Sequence, residues 1–134
     1  MARRCHLGVP MVIESHPRLE DGSPFPTLFW LTCPVLLKRV SGLESNGWMA
    51  ELNERLPRDA SLRDRLTEAI RSYEMRRDEH EVIPVSSPAG GGPDKVKCLH
   101  AHVAHALVEQ NPVGALALDG TGWPDCAAPC VGQG

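Results

Sequence analysis

A chain of 134 residues with a formal net charge of −3 is the size of one ordinary domain, large enough to bury a core without disulfides. Its 14 basic residues are dispersed among 17 acidic ones, which argues against the concentrated positive surface by which a dedicated nucleic-acid binder displaces counterions. No apolar run reaches the roughly 20 residues of a membrane-spanning helix, and Met1-Ala2-Arg3-Arg4 is not followed by the apolar core of a signal peptide. The expected compartment is the cytoplasm, where the five cysteines stay reduced and read as thiols or metal ligands instead of a disulfide framework.

Val9, Met11, Val12 and Ile13, and then the run from Thr27 to Thr32, are two short segments of β-forming residues on either side of the turn-rich Glu20-Asp21-Gly22-Ser23-Pro24. They predict an antiparallel hairpin. Pairing centred near Asp21 sets Pro10 beside Cys33 and brings Cys5 and Cys33 out at the same end. Pro34 suits the first turn of a helix, in which Leu36, Leu37, Val40 and Leu43 recur at helical spacing up to the stop at Asn46-Gly47. Trp48, Met49, Leu52 and Leu56 predict a second short helix ended by Pro57.

Ser61 with Asp64 three residues on resembles a capping box, and Leu62, Leu66, Ala69, Ile70 and Tyr73 make the apolar face of the longest helix, which runs towards His80. Its arginines alternate with acids, from Arg63 and Asp64 to Arg77 and Asp78, in the pattern of a solvated face, and His80 reads as a surface histidine. From Ile83 to Pro93 the chain turns to Pro, Ser and Gly, a loop able to approach a ligand closely. Asp94 then reads as the N-cap of a helix whose first turn holds Lys95 and Lys97 beside free backbone N–H groups. With Gly91 and Gly92 these form a candidate anion site. The spacing matches neither the phosphate-loop pattern nor the dinucleotide fingerprint. This helix is expected to close near Gln110, Asn111-Pro112-Val113-Gly114 to break it, and residues 112–134 to include an irregular tail.

Candidate chemistry concentrates on that helix. At about 100° per residue, Cys98, His102 and His105 fall within a narrow arc. Cys98 and His102 are placed to share one ion, whereas His105 lies about 10 Å further along the axis and His100 points elsewhere. One reading gathers Cys5, Cys33 and Cys98 with a fourth donor, Cys130 or His102, around zinc, or second an iron-sulfur cluster. Another makes Cys98 a nucleophile whose thiolate is stabilised by Lys97, the helix N-terminus and a nearby histidine, with the glycine loop receiving the substrate, in a thiol-dependent enzyme acting on a small anionic molecule. A third leaves the cysteines as small buried hydrophobes and the chain as an adaptor without a site. The residues alone specify no reaction.

The motifs Cys5-x-x-Gly8-x-Pro10, Asp21-Gly22-Ser23-Pro24-Phe25-Pro26-Thr27, Leu31-Thr32-Cys33-Pro34, Gly91 through His100 and Asn111-Pro112-x-Gly114, in this order, resemble a bacterial, mainly actinobacterial family known as domain of unknown function five hundred and one. The resemblance covers nearly the whole chain and brings no residue role with it. It implies that Cys5, Cys33, Cys98, His100, His105 and Cys130 belong to the family pattern, while His102 and Cys126 are particular to this chain, which favours Cys130 as the fourth ligand. It also implies that relatives carry an additional N-terminal segment, so that this chain's start is expected to be truncated. The company of a septum-formation initiator and an exopolyphosphatase among relatives points to a protein partner in cell division or polyphosphate metabolism. The fold expected is a single small α+β domain over residues 1–134, with an N-terminal antiparallel β-hairpin packed by about four helices.

Overall fold

The computed structural model describes residues 3–15, 27–80, 82, 95–124 and 126. Three short antiparallel strands, β1 (Arg3–Arg4), β2 (Pro10–Glu14) and β3 (Phe29–Leu31), form a sheet in the order β1-β2-β3. The helices are α1 (Pro34–Ser45), α2 (Trp48–Arg55), α3 (Ala60–His80), α4 (Leu99–Val108) and α5 (Pro112–Thr121). This is the α+β arrangement expected, with one strand and one helix more. No described helix is long and apolar enough to cross a membrane.

β2 and β3 pair in the anticipated register, Val12 opposite Leu31, Ile13 opposite Trp30 and Glu14 opposite Phe29. The same register carries Cys33 to the level of Pro10, and the Cys33 N–H reaches the Met11 carbonyl at 3.3 Å. β1 carries no β pattern of its own. It is folded back by a turn in which the Gly8 N–H donates to the Cys5 carbonyl, at a glycine whose φ of 81° a side chain would strain.

Helix starts follow local chemistry, although two lie away from their expected positions. α1 begins on Pro34 with the Cys33 sulfur accepting the Leu36 N–H at 3.5 Å. α3 is capped by Asp59, whose Oδ1 accepts the Leu62 N–H at 3.0 Å; Ser61 is already helical and has no capping role. α4 starts at Leu99, so Lys95 and Lys97 precede the helix instead of forming its first turn. The cause is Asn53, whose amide accepts the Val96 N–H at 2.6 Å and donates to the Val96 carbonyl at 3.0 Å. Those two bonds hold buried Val96 outside the helix, as a neighbouring strand would.

The expected irregular tail is helical as far as Thr121. Asn111-Pro112-Val113-Gly114 does end one helix, but it also starts the next: the Asn111 side chain accepts the Gly114 N–H at 3.0 Å, and Pro112 takes the first helical position. α4 lies at the centre, in contact with β2, β3, α1 and α5, and six of its ten residues are buried, His102 and His105 among them. α5 packs so closely on it that a Cβ on Gly114 would stand 2.1 Å from the His102 carbonyl oxygen and 2.6 Å from the Ala106 Cβ.

Gly114→Ala is therefore expected to cost roughly 2–3 kcal/mol through overpacking, read as a lower urea midpoint. Gly42→Ala, at an exposed position in α1 where an added Cβ meets nothing within 4 Å, is expected instead to stabilise by about 0.5–1 kcal/mol.

Candidate metal centre

α4 presents its first backbone N–H groups beside the last turn of α1. The Glu44 carboxylate fills the gap: its Oε2 accepts the Leu99 N–H at 3.0 Å, a negative group at the positive end of a helix. Its other oxygen, Oε1, lies 3.1 Å from His100 Nδ1. Cys98, in extended conformation with φ −153° and ψ 120°, directs its thiol to the same place. Among the described residues, Glu44, Cys98 and His100 are the one group of three in which a donor atom of each lies within 4.8 Å of the others.

The far side of the His100 ring explains why this group suits a cation. His100 Nε2 lies 3.4 Å from the Leu37 carbonyl and 3.2 Å from the Ser41 hydroxyl, while that hydroxyl donates to the same carbonyl at 2.8 Å. A carbonyl only accepts, so the proton belongs on Nε2. In a neutral ring Nδ1 then carries a lone pair facing a carboxylate oxygen, and either a proton or a metal ion must lie between them. Around tetrahedral zinc, two donors with bonds of about 2.0 Å stand about 3.3 Å apart, and a sulfur stands about 3.5 Å from either. The Nδ1 to Oε1 spacing is already close to that. The outer contacts, Nε2 to the Leu37 carbonyl and Oε2 to the Leu99 N–H, are of the kind that orient metal ligands.

The other candidate residues are dispersed. Cys5 and Cys33 follow β1 and β3, which flank β2, so about two strand spacings, roughly 9.5 Å, separate their backbones. The Cys5 sulfur accepts the Leu7 N–H at 3.3 Å, the Cys33 sulfur caps α1, and neither belongs to the group at Cys98. His102 and His105 are buried, and both accept at Nδ1 from the Asn111 amide, at 3.0 and 3.2 Å. Cys98 lies outside the helix, so the predicted arc with His102 does not form. Lys95 and Lys97 are exposed, and Gly91, Gly92 and Cys130 lie outside the described residues.

Glu44 is the residue that sequence reasoning missed. It is 55 positions from Leu99, and its one local signal is an acid in the last turn of a helix, where the macrodipole disfavours it. A second cluster also escaped notice because its members come from β2, α3 and the end of α4. Arg76 donates to both oxygens of Glu14, at 2.7 and 3.2 Å, and to Glu109 at 3.0 Å, with its guanidinium 5.1 Å from the centre of the Phe29 ring. Glu109 also accepts from Ser72 at 2.9 Å and from His105 at 3.0 Å, and Glu14 contacts His80 at 2.7 Å. The Arg76 bond holds the Glu14 carboxyl below its ordinary 4.5. Burial pushes Glu109 up, but the bonds from His105, Arg76 and Ser72 outweigh it and leave this carboxyl low as well. The hydrogen bond to Glu14, followed by that to Glu109, holds Arg76 charged.

Arg76→Leu leaves two carboxylates short of their cation, at sites one-fifth exposed, and is expected to cost about 1–3 kcal/mol at neutral pH. A lowered carboxylate stabilises fully above its unfolded value of about 4.5, and that stability is lost as pH falls through the folded value. The difference between wild type and variant should therefore shrink below about pH 4.5, measured by urea unfolding at a series of pH values.

No curated protein and no solved structure matches the chain. The family described as "Protein of unknown function (DUF501)" matches residues 1–119, a span that holds Glu44, Cys98, His100, Asn111 and all of α5 except its last two residues. Cys126 and Cys130 lie beyond it. The chain belongs to the DUF501 family.

Proposed function

We propose that the protein binds a divalent transition metal, zinc first, at the N-terminal end of α4, with Glu44, Cys98 and His100 as its protein ligands. The observation that carries this reading is the convergence of three chemically different donors within 4.8 Å, from α1, from α4 and from the residue just ahead of α4, on elements that the fold already holds together. A thiolate, an imidazole and a carboxylate make a borderline-soft set suited to zinc, and three ligands leave a fourth position for water or a further donor. The Cys5, Cys33, Cys98 and Cys130 set has less support, because among the described residues neither Cys5 nor Cys33 joins the group of donors at Cys98. An iron-sulfur cluster, which needs several thiolates, loses support for the same reason. The reading of Cys98 as a nucleophile is weaker than the metal reading: both His100 nitrogens face other partners, and the paired-lysine helix start that would receive an anionic substrate does not form.

The test is titration of chelator-treated, reduced protein with zinc against a chromogenic competitor. One zinc per chain is expected at micromolar affinity or better, with Cys98→Ser and His100→Ala each weakening it more than roughly 100-fold and Glu44→Gln at least tenfold. Cys5→Ser should bind as the wild type does. No binding by the wild type, or equal binding by a folded Cys98→Ser variant, overturns the proposal.

A further inference from the structure

The opposite end of α4 carries a second polar cluster, built around one side-chain amide. Asn111 is 4% exposed, and its Oδ1 accepts the Gly114 N–H at 3.0 Å, which fixes the direction of the amide. The Asn111 NH2 group must then face inward, where it donates to Nδ1 of His102 at 3.0 Å and Nδ1 of His105 at 3.2 Å. Each imidazole is therefore an acceptor at Nδ1, and His105 gives its Nε2 proton to Glu109 at 3.0 Å. The His105 ring is 2% exposed, stacked on Phe29 with centroids 5.9 Å apart and edge-on to Tyr73 at 5.1 Å.

A proton added at His105 Nδ1 has no acceptor in this arrangement. It would point at the Asn111 NH2, donor against donor, and Asn111 has no alternative orientation that keeps the cap of α5. The stacked ring has no room to turn away. The ionisable groups around His105 are Glu109 at the end of its own helix, Arg76 and Tyr73 from α3, and His102 across the amide, with Glu14 of β2 reached through Arg76. Glu109 favours protonation, whereas burial, the largest influence, and the Arg76 charge oppose it, and the net effect leaves His105 below its ordinary 6.5.

We propose that the α4–α5 corner is an acid-released latch: when His105 takes up a proton, the Asn111 amide leaves the histidine pair and the N-terminal turn of α5 separates from α4. Asn111, Pro112 and Ala115 form one wall of a cleft of about 770 Å³ whose other wall is α3, through Ala69 and Ser72, so the release reshapes that cleft. The corner and the Glu44, Cys98 and His100 donors occupy opposite ends of α4, and the latch does not depend on metal binding.

The experiment follows His105 and the Gly114 amide together by NMR on the whole chain, from pH 8 to pH 5. His105 should titrate below 6.5, and the Gly114 protection factor, which corrects for the intrinsic pH dependence of exchange, should fall at least tenfold through the same midpoint while amides of α1 keep theirs. Asn111→Asp retains an oxygen to cap α5 and offers His105 Nδ1 a carboxylate acceptor. It should move the His105 midpoint up by at least one unit and keep Gly114 protected to pH 5. Gly114 protection unchanged through the His105 titration overturns the latch, and so does a folded Asn111→Asp variant with the wild-type midpoint. The wild-type measurement decides the question even where the variant does not fold.

Discussion

Enclosure of α4 is the constraint on which the rest of the structure depends. A helix packed against a sheet on one side and two helices on others cannot leave its terminal N–H and C=O groups to water, so both ends must be closed from within the protein. At the start, the Glu44 carboxylate from α1 takes the Leu99 N–H. At the finish, the Glu109 N–H closes on the His105 carbonyl, and Asn111 turns the chain directly into α5. Both polar clusters of interest grow from these closures. The carboxylate that caps α4 also faces His100, and the amide that caps α5 also sets the tautomers of two histidines.

These double duties explain why some short motifs are built as they are. In Asn111-Pro112-Val113-Gly114, Asn supplies an acceptor and a donor from one planar group, Pro starts α5 without wasting an N–H, and Gly permits contact with the His102 carbonyl. In Val96-Lys97-Cys98-Leu99-His100, buried Val96 is held by Asn53, Cys98 is extended, and the helix begins only at Leu99. One extended residue ahead of the helix sets the thiol beside an imidazole two positions later. Had α4 begun at Asp94, as its composition suggests, Cys98 and His100 would point about 200° apart.

Most of the architecture was legible because it rests on local signals. The hairpin register followed from the spacing of two apolar runs about Asp21, and α1, α2 and α3 from apolar periodicity with proline and glycine at their ends. What escaped was decided by partners distant in sequence. The extension of Val96 depends on Asn53, the candidate donor group at Cys98 on Glu44, and the Arg76 cluster on Glu14 and Glu109. The arc expected for Cys98 with His102 also depends on where α4 begins, and Cys98 stands one residue ahead of it. The hairpin register pairs Cys5 and Cys33 as candidate ligands; in the fold the Cys33 sulfur takes the place of a capping hydroxyl and Cys5 closes a turn.

The central claim is that one cysteine, one histidine and one glutamate hold the metal, and that the remaining thiols take no part. X-ray absorption at the zinc edge of the loaded, reduced protein tests it most directly. The account predicts a first shell with a single sulfur at about 2.3 Å and two or three nitrogen or oxygen donors at about 2.0 Å. A shell of three or four sulfurs would contradict it and return the site to the dispersed cysteines.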